Sequence, residues 1–427
     1  MPPQPPVHDS SPAASGPARA PFHRARWPRP PRALVVLLFA FLAAVAAARW
    51  TIEIHHALFD PTRHGANDLR RRYAETQAWF NGEDVYARTT DAVYPPASYV
   101  MFWPALGWSS FQVARRLWTL SGLALFVWLF RSLQREMGVR APPERWLYGL
   151  CMLAVAPLVV NFGTGQVGIH ILAALLGSLF LLTRRPPGWG RDSLAAALFL
   201  FTLIKPSVSA PFFWLVMFVS GSMRPALLVV AGYVSLTFLA AIFQPAGLLD
   251  LFRACVGNAS EWYGNGYADL HEWLRLLGLS EWAIPASLTV LGLLGLWTYL
   301  HRDRDLWLLL GIAGIVSRLW TYHLWHDEVV LVLAAVALFR VARQSPAPDP
   351  NSVGAAVLLA LLVAGMIVPT RGAELPVPWS LPWRIGLPLI WASTLVLLMV
   401  RARAPESRAS GFARPSTAGS RREPPLA

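Results

Sequence analysis

Long apolar runs separated by short polar segments dominate the chain from about residue 33 to about residue 400. A membrane-spanning helix needs about 20 mostly apolar residues, because lipid offers no partner for a non-helical backbone. The pattern therefore predicts an all-α integral membrane protein with about twelve spans. The predicted spans are approximately 33–49, 111–130, 146–162, 167–183, 192–204, 206–221, 225–243, 282–300, 306–319, 327–342, 353–369 and 384–400.

Two apolar stretches need a separate interpretation. The first run, 33–49, ends in three alanines like a signal peptide, but it is longer than a hydrophobic signal region of about 7–15 residues. We interpret it as a membrane-spanning helix. The segment 94–108, YPPASYVMFWPALGW, is interrupted by prolines, which favours a re-entrant or interfacial helix.

Arginine-rich segments predict the orientation of the spans. The tails, 1–32 and 403–427, are rich in Arg and Pro, and we expect both to be disordered and cytoplasmic. The chain between them, 33–402, forms one transmembrane domain. Two large loops, about 50–110 and 244–281, then face outward.

Composition agrees with a membrane protein: 55% of the 427 residues are hydrophobic and 14% are charged. The net charge of +13 does not indicate a nucleic-acid-binding protein, because the basic residues lie in short segments between apolar runs. Such residues orient the spans and attract anionic membrane lipids. Two cysteines, Cys151 and Cys255, give no disulfide framework.

Polar motifs that do not serve as orientation signals gather in the predicted outer loops or at the outer ends of spans. They are NDLRRRY, NGEDVY, YPP, GTGQ, IKP, NASEWYGNGY and WTYHLWHDE. A common location for so many polar motifs predicts an active site open to the outer side.

Asp68 lies in a segment that the sequence places near the lipid head groups, where a carboxylate can accept a proton from a hydroxyl. The alternative is a helix cap or a solvated acid. The arginines 70–72 either bind a substrate phosphate or extend to lipid phosphates. Lys205 is the only lysine among 37 basic residues, and its place between two apolar runs predicts a functional role or a helix end that reaches the interface.

The stretch SRLWTYHLWHDE holds Arg318, His323 and His326. The two histidines would share one face of a helix, which leaves three interpretations: a metal site, structural hydrogen bonds, or donation to a phosphate. The spacing of the stretch is not that of a common zinc motif. Asn258 begins a sequon in a loop that either lines a sugar-binding surface or only covers the protein.

In this order, the motifs resemble those of glycosyltransferase family 87, the polyprenyl-phosphate-mannose-dependent mannosyltransferases of bacteria. The resemblance covers most of residues 33–400. It rests on Asp68 to Tyr73, Gly82 to Tyr86, Tyr94-Pro95-Pro96, Gly165-Gln166, Ile204-Lys205-Pro206 and Tyr322-His323. The chain departs from the family at Val85, where many members have Pro, and this difference predicts a less rigid turn.

The resemblance implies a GT-C type fold in the bacterial plasma membrane, without a metal or cofactor. Its implied donor is a polyprenyl-phosphate sugar, and its implied acceptor is a hydroxyl of a glycolipid or glycan. Asp68 would be the general base. The expected phosphate-binding residues are His323, Lys205, Arg70, Arg72 and Arg318, and the expected substrate contacts are Asp84, Tyr86, Tyr94, Gln166 and His326.

An inverting single displacement suits such a donor, since a phosphate leaves as a stable anion and needs no general acid. Three alternatives remain at the level of sequence. They are a transporter or flippase of lipid-linked sugars, a non-catalytic membrane scaffold, and a transferase that uses another lipid-phosphate sugar such as arabinose. Loss of activity on Asp68→Asn would separate a transferase from a transporter.

Overall fold

Helices form all the regular structure in the described part of the chain, residues 31–62, 64–262, 268–344, 349–368, 378, 380 and 382–403 of the computed structural model. The all-α prediction is confirmed for these residues. The helices are α1 Arg32–Ile54, α2 Asn67–Phe80, α3 Val85–Arg88, α4 Pro96–Leu106, α5 Phe111–Glu136, α6 Pro142–Ala154, α7 Ala156–Thr164, α8 Gly168–Arg184, α9 Trp189–Thr202, α10 Pro206–Ser209, α11 Phe213–Val219, α12 Arg224–Ala241, α13 Leu248–Ser260, α14 Leu270–Leu276, α15 Ala283–Leu300, α16 Leu306–Leu319, α17 Leu331–Gln344, α18 Pro350–Ile367 and α19 Leu387–Arg403. The 3₁₀ segments are Ala210–Phe212, Ser280–Trp282 and Trp325–Val330, and the π-helical turns are His55–Phe59 and Pro382–Gly386.

Six helices are long and apolar enough to cross a membrane: α1, α5, α12, α15, α18 and α19. Most of their side chains are not buried by the protein, and they expose Leu, Val and Phe. Exposed apolar surface on this scale needs lipid around it. The chain is therefore a membrane protein with six such helices in its described part, or up to eight if two bent pairs each count as one span. The predicted number of twelve is not confirmed.

Shorter helices form the buried interior. Residues on all sides of α8, α16 and α17 are buried, and α16 packs against both α17 and α19. Helices that are apolar on every face are expected inside a bundle. The outer helices thus enclose a core in which the shorter helices hold the polar segments at their ends.

The predicted spans 192–204 and 206–221 belong to one bent unit, because α9 and the α10–α11 segment meet at an angle of 120°. Lys205 and Pro206 lie at the break, and the proline begins α10. The backbone carbonyls of the break accept side-chain hydrogen bonds from Ser98 to Ile204 (2.8 Å), from Trp320 to Ser207 (2.7 Å) and from Ser317 to Val208 (2.6 Å). Irregular backbone at membrane depth is stable when protein groups satisfy it in this way.

The predicted first outer loop, 50–110, contains three helices, α2, α3 and α4. Helix α4 has 11 residues and extends about 16 Å, roughly half of the hydrocarbon thickness. It therefore does not cross the membrane, in agreement with a re-entrant or interfacial helix. The predicted second loop, 244–281, contains α13 and α14. The two predicted tails lie outside the described residues, apart from residues 31, 32 and 403.

Arg115 of α5 stabilises the end of α1. Its guanidinium donates to three carbonyls of the π-helical turn and the residue after it: to Ala57 at 2.7 Å, to Asp60 at 2.9 Å and to His56 at 2.5 Å. The side chain is fully buried. A helix end that leaves such carbonyls without partners inside a protein is unfavourable.

We expect Arg115→Lys to lower the Tm in detergent, at a cost of about 1–3 kcal/mol, because an ammonium cannot replace the planar fork and leaves buried carbonyls unsatisfied. Arg116→Lys is the matched control, since Arg116 is the next residue and is exposed. Equal Tm values for the two variants would contradict this role for Arg115.

Candidate active site

Helix α2 positions Asp68 in its first turn. Ala66, in a left-handed conformation (φ 49°), precedes the helix, and its N–H donates to the carbonyl of Gly163 at 3.2 Å. The side chain of Asn67 accepts the N–H of Asp68 at 2.9 Å. An acid near a helix N-terminus interacts favourably with the helix dipole. These contacts hold Asp68, which is half-buried, against the end of α7.

Gly165 ends α7 and allows α2 to approach it. The glycine has φ 72°, and the N–H of Gln166 donates to the carbonyl of Asn161 at 2.9 Å, as in a Schellman motif. A Cβ at position 165 would lie 2.6 Å from Cβ of Leu69, the neighbour of Asp68. Glycine is therefore required both by the turn and by the close packing of α2.

The side chain of Gln166 joins Asp68 to His326. Its Nε2 donates to Oδ2 of Asp68 at 2.9 Å and lies 2.9 Å from Nε2 of His326. An amide nitrogen only donates, so Nε2 of His326 accepts and the ring is neutral. Burial lowers the pKa of His326 and outweighs the opposing charge of Asp327, which agrees with this protonation state.

Lys205, at the break between α9 and α10, pairs with Asp327 of the 3₁₀ segment. Nζ of Lys205 lies 2.5 Å from Oδ1 of Asp327, and both side chains are mostly buried. The same oxygen lies 3.7 Å from Nε2 of His326. The 3₁₀ segment is fixed in turn by Asn161, whose Nδ2 donates to the carbonyl of His326 at 3.0 Å.

The side chains of Asp68, Gln166, Lys205, His326 and Asp327 border one cavity. Its volume is about 520 Å³, including its open mouth. The lining residues are Asp68, Arg71, Arg72, Asp91, Val93, Tyr94, Gln166, Lys205, Ser207, Trp262, Tyr322, Leu324, His326 and Asp327. Cationic and anionic groups are thus combined with aromatic walls in one cavity.

Each cation of the cavity is paired with an acid. Arg71 pairs with Asp91 at 3.1 Å, Arg72 with Glu75 at 2.7 Å, and Lys205 with Asp327. Asp68 differs from the other lining acids, because no ion pair to it is found within the described residues. A carboxylate held by one amide hydrogen bond retains lone pairs for a substrate proton.

Six of the eleven predicted site residues line this cavity: Asp68, Arg72, Tyr94, Gln166, Lys205 and His326. They come from five separate stretches of the chain, which the fold brings together. Their catalytic and binding roles remain predictions.

Three predicted residues in or near the first loop have other contacts. Arg70 donates to the carbonyl of Thr62 at 3.2 Å, and its guanidinium lies 4.3 Å from the ring centroid of Phe111. Asp84 is exposed and accepts the N–H of Ala87 at 3.0 Å as the N-cap of α3. Tyr86 donates to the carbonyl of Tyr94 at 2.7 Å and so positions a residue of the cavity wall.

Arg318 and His323 are completely buried and do not line the cavity. Arg318 lies 3.6 Å from Glu328 and 4.7 Å from the ring centroid of Trp391. Burial lowers the pKa of His323 to about 4, so its imidazole is neutral at physiological pH.

Sequence reasoning missed Asp327 and Asp91 as cavity residues. Asp327 follows the predicted His326, but its partner Lys205 is 122 positions away, and a sequence does not show that pairing. The described residues contain no group of three or more His, Cys, Asp and Glu side chains that could hold a metal ion.

The fold and the cavity define an integral membrane protein with a cavity lined by charged side chains. The sequence model of glycosyltransferase family 87 matches residues 92–369, and the chain belongs to this family. It is thus a membrane glycosyltransferase. The matched region contains Tyr94, Gln166, Lys205 and His326, whereas Asp68 precedes it. No curated protein and no solved structure matches the chain.

We expect Gly165→Ala to destabilise the protein by about 1–3 kcal/mol, because alanine is strained at positive φ and would collide with Leu69. The Tm in detergent should fall. Gly257→Ala is the control, since Gly257 lies in α13 with no heavy atom near its Cβ position. A Gly165→Ala protein as stable as this control would show that α2 does not need the close approach.

We expect Lys205 and Asp327 to be energetically coupled. Lys205→Met and Asp327→Asn each leave a mostly buried charge without its partner, at a cost of about 3–5 kcal/mol. The double variant should therefore lose less free energy of unfolding than the two single variants lose together. A double-mutant cycle of unfolding should give a coupling of about 1–3 kcal/mol. The exposed pair of Asp250 and Arg253 is the control and should show almost no coupling. Additive losses at Lys205 and Asp327 would contradict the pairing.

Proposed function

We propose that this glycosyltransferase moves a sugar, mannose, from a polyprenyl-phosphate donor to a hydroxyl of a glycolipid or glycan acceptor at the outer face of the bacterial plasma membrane. The observation that carries the proposal is the cavity, in which the carboxylate of Asp68, held by Gln166, is combined with the cations Arg71, Arg72 and Lys205. One acid and a set of cations are the groups that a displacement of phosphate requires.

Asp68 acts as the general base. It removes the proton of the acceptor hydroxyl while the hydroxyl oxygen attacks the anomeric carbon of the donor. The bond between that carbon and the phosphate oxygen breaks, and its electron pair leaves with the prenyl phosphate. The configuration at the anomeric carbon is inverted by this single displacement.

The cations stabilise the negative charge that develops on the leaving phosphate. Arg72 and Lys205 are held by the buried or mostly buried side chains of Glu75 and Asp327, so their positions are fixed before the donor arrives. A preorganised charge needs no rearrangement during the reaction. Gln166 holds Asp68 through one carboxylate oxygen, and the other oxygen is available to the hydroxyl.

The nature of the donor is supported by the resemblance of the motifs and by the surroundings of the cavity. The helices around the core present apolar surface to lipid, where a polyprenyl chain is soluble. The chain anchors the donor, so the site needs to recognise only the phosphate and the sugar. The mannosyl group is proposed from the resemblance, and another sugar on the same lipid phosphate is the alternative.

Asp68→Asn should lower kcat for sugar transfer by about 10²–10⁴-fold, because the amide cannot accept the hydroxyl proton. The donor KM should change little, since asparagine keeps an oxygen for the hydrogen bond from Gln166. The measurement uses purified protein in nanodiscs, radiolabelled polyprenyl-phosphate-mannose and a lipid extract of the host as the source of acceptor. Label in a new lipid is quantified.

Asp250→Asn is the matched control, because Asp250 is exposed and does not line the cavity. It should transfer like the wild type. Transfer by Asp68→Asn at the wild-type rate would place the base elsewhere, with Asp91 as the next acid in the cavity. Movement of intact donor across the bilayer without transfer by the wild type would favour a flippase.

A further inference from the structure

Glu75 is a buried acid next to the cavity that the proposed reaction does not use. It lies one turn after Arg72 on α2 and is 5% exposed. Its Oε2 lies 2.7 Å from Nη1 of Arg72 and accepts the hydroxyl of Tyr99 at 3.4 Å. The lining residues of the cavity include Arg72 but not Glu75. Glu75 therefore acts on the cavity through the arginine.

Three contacts determine where the guanidinium of Arg72 lies. Besides the pair with Glu75, its Nη2 donates to the carbonyl of Asp91 at 3.1 Å, and its Cζ lies 4.5 Å from the ring centroid of Tyr94. Only Glu75 contributes a charge to these contacts. Glu75 thus controls both the position of Arg72 and the net charge of this wall.

We propose that Glu75 is a positioning residue for Arg72, and that its protonation state sets the affinity of the cavity for the phosphodiester of the donor. This inference rests on the proposed function. A neutral Glu75 leaves the positive charge of Arg72 available to the phosphodiester. An ionised Glu75 neutralises Arg72 and repels the same anion.

The surroundings of Glu75 place its change of protonation state near neutral pH. Burial raises the pKa of Glu75 to about 7, against the opposing effects of Arg72 and of the hydrogen bond from Tyr99. The other charged groups that face the pair are Arg71, Asp91 and Asp68. Burial raises the pKa of both Tyr94 and Tyr99, so these phenols stay neutral.

The direction in which pH changes the donor affinity follows from the raised pKa of Glu75. Below about pH 7 Glu75 is protonated and anion binding is strong. Above this pH the carboxylate forms and binding weakens, so the donor affinity falls as the pH rises. By linkage, donor binding at pH 7 is accompanied by a net uptake of protons.

The test measures the Kd of farnesyl phosphomannose for the full chain in nanodiscs at pH 6 and pH 8. A phosphodiester keeps one negative charge over this range, whereas a phosphate monoester would itself titrate near pH 6. We expect the wild type to bind about 5-fold more weakly at pH 8. Glu75→Gln should keep the packing and bind equally at both pH values, because an amide does not titrate.

Glu83→Gln is the matched control, since Glu83 is an exposed acid just after α2 and does not line the cavity. It should show the pH dependence of the wild type. A second measurement needs no variant: calorimetry of the wild type at pH 7 in two buffers of different ionisation enthalpy should report an uptake of about 0.4 proton.

The same pH dependence in the wild type and in Glu75→Gln would overturn the role of Glu75. Binding by the wild type without proton uptake would overturn it as well. These failures differ from a failure of the proposed function, in which farnesyl phosphomannose does not bind the wild type at either pH. That outcome would overturn the proposed donor and, with it, the inference about Glu75.

Discussion

The ion pair between Lys205 and Asp327 is the interaction on which the cavity depends. It places two mostly buried charges together, and each compensates for the water that the other has lost. Lys205 lies at a 120° break between helices, and Asp327 lies in a 3₁₀ segment, so the pair joins two irregular parts of the backbone. His326 and Gln166 extend this contact to Asp68. Asp68 and Lys205 are therefore linked through a continuous chain of side-chain contacts that runs through Gln166, His326 and Asp327.

The helices are of two kinds, long ones that face the lipid and shorter ones that are buried, and this explains why a cluster of charged side chains is stable in a membrane protein. Long helices expose apolar side chains to lipid, while the shorter helices α8, α16 and α17 are buried. Irregular segments at the ends of the buried helices can satisfy their backbone with side chains such as Ser98, Ser317 and Trp320. Polar side chains can therefore line a cavity close to the lipid. Such a cavity suits the proposed donor, which has both a charged phosphate and a long apolar chain.

Much of the fold could be predicted from the sequence, because apolar runs report directly on helices in lipid. Each predicted span coincides with a helix or a pair of helices. The sequence predicts two spans on either side of Lys205-Pro206, whereas the structure has one bent pair of helical segments there. The proline showed where the helix breaks but not that the chain folds back by 120°. The sequence indicates Asp68, Lys205 and His326 as candidate site residues, because polar residues beside apolar runs are unusual. All three line the cavity. The pairing with Asp327 and the burial of Arg318 and His323 depend on packing between distant segments, which the sequence does not display.

In the proposed reaction, a sugar is transferred from a lipid phosphate in the cavity by a single displacement. The most direct measurement is NMR of the product that purified wild-type protein forms from a prenyl phosphomannose donor, together with the amount of prenyl phosphate released. We predict one prenyl phosphate for each new glycoside, with an anomeric configuration opposite to that of the donor. A glycoside that retains the configuration of the donor, or a donor that stays intact, would contradict the account.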